Sequence, residues 1–124
     1  MQHGLSRAAQ TQARRVLKMQ LLLEQFVCPW CSEPLSGGIH MHEWLFKRGR
    51  VPNEIWTQKI NCVLLHDTCH MEYGQSKAMT RKCYLFKVAL GEDPSQWVQS
   101  LYSDGQIKVM PDMGFMYAEL SRSI

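Results

Sequence analysis

Residues 61–70 read Asn61-Cys62-Val63-Leu64-Leu65-His66-Asp67-Thr68-Cys69-His70, and the fold turns on how this stretch is taken. Taken as a helix that opens at Asn61, it presents two chemical faces. His66 and Cys69 stand three apart, close to one face, where they can share a metal ion; His70 points about 100° further round. Upstream, Cys28-Pro29-Trp30-Cys31 adds two thiolates, and Gly38-Ile39-His40-Met41-His42-Glu43 adds imidazoles and a carboxylate. Together they supply one closed structural metal site and one open catalytic site, side by side.

Outward from this stretch, residues 6–27 carry helical periodicity, with Ser6 as N-cap. On a helical wheel Ala9, Ala13, Val16, Leu17, Met19 and Leu23 fall on one side, and Arg7, Arg14 and Lys18 form a stripe opposite. This helix either docks its apolar side on a core and leaves the basic stripe in water, or lays that stripe along phosphates. Pro29, Pro34, Gly37 and Gly38 then force a knuckle and a tight turn. A short strand is expected over 39–44, a basic loop over 47–53, and strand-like or irregular chain over 55–60. The central helix is expected to run to Tyr73, with Gly74 at its C′ position. Further helices fit 76–90, closed by Gly91, and the stretch after Asp93-Pro94, an N-cap followed by proline at N1. Asp104-Gly105 reads as a turn, 106–110 as a strand, and the remainder as a tail.

The 124-residue length fits a single domain over 1–124. No apolar run approaches membrane-spanning length and the start lacks a secretory pattern, so an intracellular, cytoplasmic protein with no membrane partner is expected. In that setting cysteines serve metals more often than disulfides. Residues 1–88 hold 12 Lys/Arg against 6 Asp/Glu, while 89–124 hold 2 against 5. The first part has the charge to meet a polyanion, which favours nucleic acid.

Cys28-x2-Cys31 and His66-x2-Cys69 form two close pairs across 34 intervening residues. Four such ligands suit a tetrahedral structural Zn²⁺. Cys62 and Cys83 have no partner at ligand spacing and read as buried thiols. A thioredoxin-like dithiol at Cys28/Cys31 would need a βαβ context that this sequence lacks.

Residues 28–73 resemble the HNH endonucleases, the zinc-containing branch of the ββα-metal (His-Me finger) nucleases. The shared elements are the Cys28/Cys31 knuckle, His42 on a strand, and Asn61 through Cys69-His70. Short phage-encoded proteins of this type are of similar size. The resemblance implies an α+β fold, a zinc-stapled ββα-metal core with flanking N-terminal (6–27) and C-terminal (76–124) helices. It also implies a metal-dependent endonuclease acting on DNA. His42 would be the general base, His70 a ligand of a catalytic divalent cation such as Mg²⁺ or Mn²⁺, and Asn61 the residue fixing the base-bearing strand. One position departs: Met41 stands where many relatives place a metal-ligating Asp or His. His40, or Glu43 if the strand bends, would then complete the metal shell, and a His/His shell leans toward transition metals. Lys47, Arg48 and Arg50, with Arg14 and Lys18, would hold DNA phosphates. The rival reading is a zinc-stabilised DNA-binding or adaptor module without nuclease activity. A homodimer, or a larger phage or host protein partner, is compatible with either.

Overall fold

A computed structural model describes residues 6–111. Helix α1 (Arg7–Glu24) begins at Ser6, whose hydroxyl accepts from the Ala9 N–H, as the sequence indicates. Strand β1 (Ile39–Glu43) pairs antiparallel with β2 (Cys62–His66), in the register Ile39↔His66, Met41↔Leu64, Glu43↔Cys62. A short helix α2 (Asn53–Trp56) and a 3₁₀ turn (Lys59–Asn61) lie between the strands. Helix α3 (Asp67–Tyr73) follows β2 without a break. Helices α4 (Lys77–Ala89) and α5 (Pro94–Ser103) complete the α+β arrangement.

The expectation of one helix from Asn61 to Tyr73 is thus corrected: its first half is a strand. Cys62, Val63, Leu64 and Leu65 are all fully buried. A strand covered on both faces reads as an unbroken apolar run, which periodicity does not separate from a helix. Here Leu17 and Leu21 of α1 cover one face, over Met41, Cys62 and Leu64. Met79, Cys83, Tyr84, Val98 and Leu101 of α4 and α5 belong to the cluster on the other, with Trp44, Val63 and Leu65. Cys62 and Cys83 are buried thiols. The expected strand over 106–110 is absent, and the expected tail beyond 111 lies outside the described residues.

Alternation along β1 decides which residues share the site. Met41 and Glu43 face α1, whereas His40 and His42 lie on the opposite face. Helix α1 closes the free edges of this two-stranded ribbon with polar side chains. Lys18 Nζ donates to the Ile39 carbonyl (2.6 Å) and Arg14 reaches the Met41 carbonyl (3.5 Å) along β1. Just beyond α1, the Gln25 amide accepts from the Leu64 N–H and donates to the Leu64 carbonyl, both at 2.8 Å, as a neighbouring strand would.

The wheel reading of α1 is corrected accordingly. Its buried residues are Leu17 and Leu21, flanked by Arg14, Lys18 and Gln25, while Val16, Met19 and Leu23 are 45%, 64% and 80% exposed. The ribbon edge offers carbonyls as well as apolar area, so the helix turns its mixed face inward.

Replacing Gln25 by Leu leaves the Leu64 N–H and C=O buried and unpaired. At about 1–3 kcal/mol per group, the expected loss is roughly 2–6 kcal/mol, read as a lowered urea midpoint with unchanged m-value. A midpoint within error of wild type would show that the edge does not need this amide.

Candidate metal centre and histidine face

The chain leaving α1 forms a narrow loop. Val27 bridges Pro34, the Cys28 N–H donates to the Glu33 carbonyl (3.0 Å), and Ser32 sits at φ +64° at the tip. This loop carries Cys28 and Cys31 to the junction of β2 and α3, where His66 and Cys69 reside. One ligand atom from each of the four residues lies within 4.8 Å of every other, so the group could hold a metal ion. Bond lengths of about 2.0–2.3 Å to zinc imply tetrahedron edges of about 3.5–3.8 Å, and His66 Nδ1 stands 3.3 Å from Cys31 Sγ. His66 Nε2 meets the Pro34 carbonyl at 2.9 Å, the outer-ring hydrogen bond that leaves Nδ1 free for a metal.

Burial pushes the Cys28 thiol upward, but the backbone N–H groups of Cys31, His66 and Trp30 and the Cys31 side chain outweigh it and hold it below the usual range. Desolvation and the facing Cys28 and Cys31 push Cys69 up to about 12. Thiolates crowded in this way repel one another, and a dication reverses that penalty.

On the far face of β1 the ring of His40 stacks on His70 of α3 (centroids 3.7 Å, interplanar 20°), and His42 meets His70 edge-on at 5.1 Å. Two glycines make room for this packing. A Cβ at position 38 would stand 2.1 Å from Asp67 Oδ2, and one at position 74 would stand 2.5 Å from the His70 carbonyl and 3.1 Å from its ring. Gly74 is therefore selected by close approach; its φ of −56° is ordinary helix rather than the left-handed C′ geometry expected.

All three histidines are held below their ordinary pKa. For His42, 3% exposed, burial dominates, with Lys47, His70 and His40 adding repulsion, and the pKa falls to about 3. Burial again leads for His40, followed by His70 and Arg14, and for His70, followed by Lys47. Asp67 opposes the shift at His40 and His70. Its role escapes sequence reasoning because nothing marks a carboxylate that acts across Gly38.

Several expected site residues lie elsewhere. Glu43 is on the α1 face, paired with Arg14 and 3.6 Å from Arg48, so β1 does not bend it toward His42. Met41 is buried beside Leu17 and Leu21. Arg14 and Lys18 are committed to β1, and Arg48 lies over the Trp56 ring. Lys47 adds electrostatic repulsion at His42 and His70, and Arg50 is exposed in the same loop. Asn61 precedes β2 rather than opening a helix. Fully buried, it accepts from the Phe46 N–H (2.8 Å) and donates to the carbonyls of Phe46 (2.8 Å) and Trp56 (3.2 Å). It therefore pins the loop that leads from β1 to Lys47.

Comparison with known proteins places the chain in no group: no family model, no curated protein and no solved structure matches it. Among the described residues no helix is long and apolar enough to cross a membrane.

Histidine burial has a pH consequence. An unfolded His42 takes a proton near pH 6.5, whereas the folded one stays neutral down to about pH 3. Between those values the unfolded state binds more protons, so stability is full above 6.5 and falls as acid is added. Relative to a His42→Asn variant, which shares every other titration, wild type should lose about 1.4 kcal/mol between pH 7.5 and 5.5. Parallel stability curves would show that His42 is accessible to protons in the native state.

Proposed function

We propose that the chain is a zinc-stapled, metal-dependent DNA endonuclease of the HNH type, with β1, β2 and α3 as its ββα-metal core. The observation that carries this reading is the meeting of His40 and His42 with His70: two strand residues on one face, capped by the helix that leads out of the metal cluster. Supporting it are the sequence resemblance and the Cys28/Cys31/His66/Cys69 group, whose donors suit structural zinc.

In this reading His42 accepts a proton from the attacking water at an imidazole nitrogen. The nascent hydroxide adds to phosphorus, the P–O3′ bond breaks, and the departing oxygen takes a proton from solvent, leaving 5′-phosphate and 3′-hydroxyl ends. Burial keeps His42 unprotonated at neutral pH, so a ring nitrogen is free to accept, while the same burial makes it a weaker base than one whose pKa lies near the working pH. Its low basicity comes chiefly from desolvation and in part from Coulombic repulsion, and a phosphate between Lys47 and the histidines would offset only the second part. His40 and His70, both neutral, would hold the divalent cation, whose chemistry when bound is to offset charge on the phosphate and its leaving oxygen. Two imidazoles suit Mn²⁺, Co²⁺ or Ni²⁺ better than Mg²⁺. Asn61 holds the loop carrying Lys47, which with Arg50 faces the DNA backbone.

The second reading, a zinc-stabilised DNA-binding module, is favoured by one feature. His40 and His70 lie face to face, and among the described residues the three histidines do not form a converging ligand group as the four zinc-type residues do. Relaxation of supercoiled plasmid separates the two. Expected for the nuclease is nicking that needs added divalent metal, is faster in Mn²⁺ or Ni²⁺ than in Mg²⁺, and falls roughly 10²–10⁴-fold in His42→Ala. Gel retardation without nicking in any metal would instead establish the binding module.

For the staple, purified protein should contain one zinc per chain. Cys28→Ser should lose it together with cooperative unfolding, since structural sites contribute on the order of 10–16 kcal/mol in small zinc domains. Cys62→Ser should retain the metal. Full zinc content in Cys28→Ser would remove that residue from the ligand set.

A further inference from the structure

Two clefts flank the histidine face, and both are lined by cations. One, of about 160 Å³, lies between α1 and β1 and is lined by Thr11, Arg14, Arg15, Lys18, His40 and Met41. The other, of about 260 Å³, lies where the loop after β1 meets the α3–α4 junction; its polar lining is Lys47, Gln75, Lys77 and Thr80, with Trp44 and Gly74. Each abuts the histidines. His40 itself lines the first, and Gly74, packed against the His70 ring, lines the second. The electrostatics agree: beyond the burial that lowers all three histidines, Arg14 and Lys18 add to the shift at His40, and Lys47 adds to those at His42 and His70.

We infer that these clefts are phosphate subsites, and that one strand of duplex DNA runs from the α1 cleft across the His40–His70–His42 face into the α3–α4 cleft. This deepens the endonuclease reading and rests on it for the central phosphate. The charges available to a ligand differ from those that the sequence picks out. Arg14 is partly neutralised by Glu43, and Lys18 spends a donor on the Ile39 carbonyl. Arg15, exposed and in the same lining, carries the solvent-accessible charge of the first cleft. In the second, exposed Lys77 opens α4, whose N-terminal dipole also favours an anion, and faces Lys47 across the cleft. The flanking phosphates would thus meet Arg15 on one side and Lys77 with Gln75 on the other, with the scissile phosphate between them.

Binding of a labelled 20-bp duplex can be followed by fluorescence anisotropy across a salt series, using zinc-loaded protein without added divalent metal. Each lost phosphate contact lowers the slope of log K against log[salt] by about 0.9. Arg15→Ala and Lys77→Ala should each lower it by about that amount, and the double variant by about 1.8. Lys59→Ala, tied to Glu24 and lining neither cleft, should leave it unchanged. Unchanged slopes in both cleft variants, an equal fall in Lys59→Ala, or no binding by wild type would overturn the subsites. The plasmid assay on the same wild-type protein reads the nuclease separately. Nicking with unaltered slopes rejects the clefts alone, and altered slopes without nicking reject hydrolysis alone.

Discussion

A two-stranded antiparallel ribbon cannot stand by itself in water, because it leaves two unpaired edges and two uncovered faces. The structure depends on how that deficit is met. Helix α1 and the residue just after it deal with one face and both edges together: Leu17 and Leu21 cover apolar area while Lys18, Arg14 and Gln25 bond the outward carbonyls and the Leu64 N–H. Helices α4 and α5 cover the other face except at His40 and His42, where α3 lies instead. The histidine face is thus the part of the ribbon that packing leaves to polar residues.

This arrangement explains why the metal cluster and the histidines share one short helix. Asp67 to Tyr73 is only two turns long, below the length at which a helix is stable unaided. It is fixed at its start by the ribbon, through the Asp67 N–H to the Gly38 carbonyl (3.0 Å), and along its length by Cys69 in the cluster. Ordering His70 therefore requires both anchors. The helix that carries Cys69 of the four-residue group also carries His70, so a change at Cys28 is connected to the His70 ring through α3.

Part of this was legible in the sequence. The caps at Ser6 and Asp93 are local chemistry, and the structure shows each side chain accepting from the N–H three residues on. Ligand spacing at 28, 31, 66 and 69 is likewise local within each pair, and only the joining of the pairs needed the fold. What failed was everything decided by a neighbour. Cys62–Leu65 looks helical because both of its faces are covered, and the apolar side of α1 looks buried because a wheel counts apolar area but not strand-edge carbonyls. Arg14 and Lys18 read as a solvent-facing basic stripe for the same reason, whereas both bond the edge of β1. Glu43 was an open alternative until strand alternation put it with Arg14, opposite His42.

The same alternation bears on the methionine at 41. An acidic residue there would project, like Glu43, onto the α1 face, among Leu17, Leu21 and Leu64 rather than toward His70. Burying a carboxylate in that layer is costly unless a cation is at hand, and Arg14 already serves Glu43. A thioether suits the site, being apolar and adaptable in shape. With position 41 given to packing, the face that meets His70 draws its donors from positions 40 and 42, and its nearest negative charge from Asp67, across the glycine at 38. The side chains that meet on this face are therefore imidazoles rather than carboxylates.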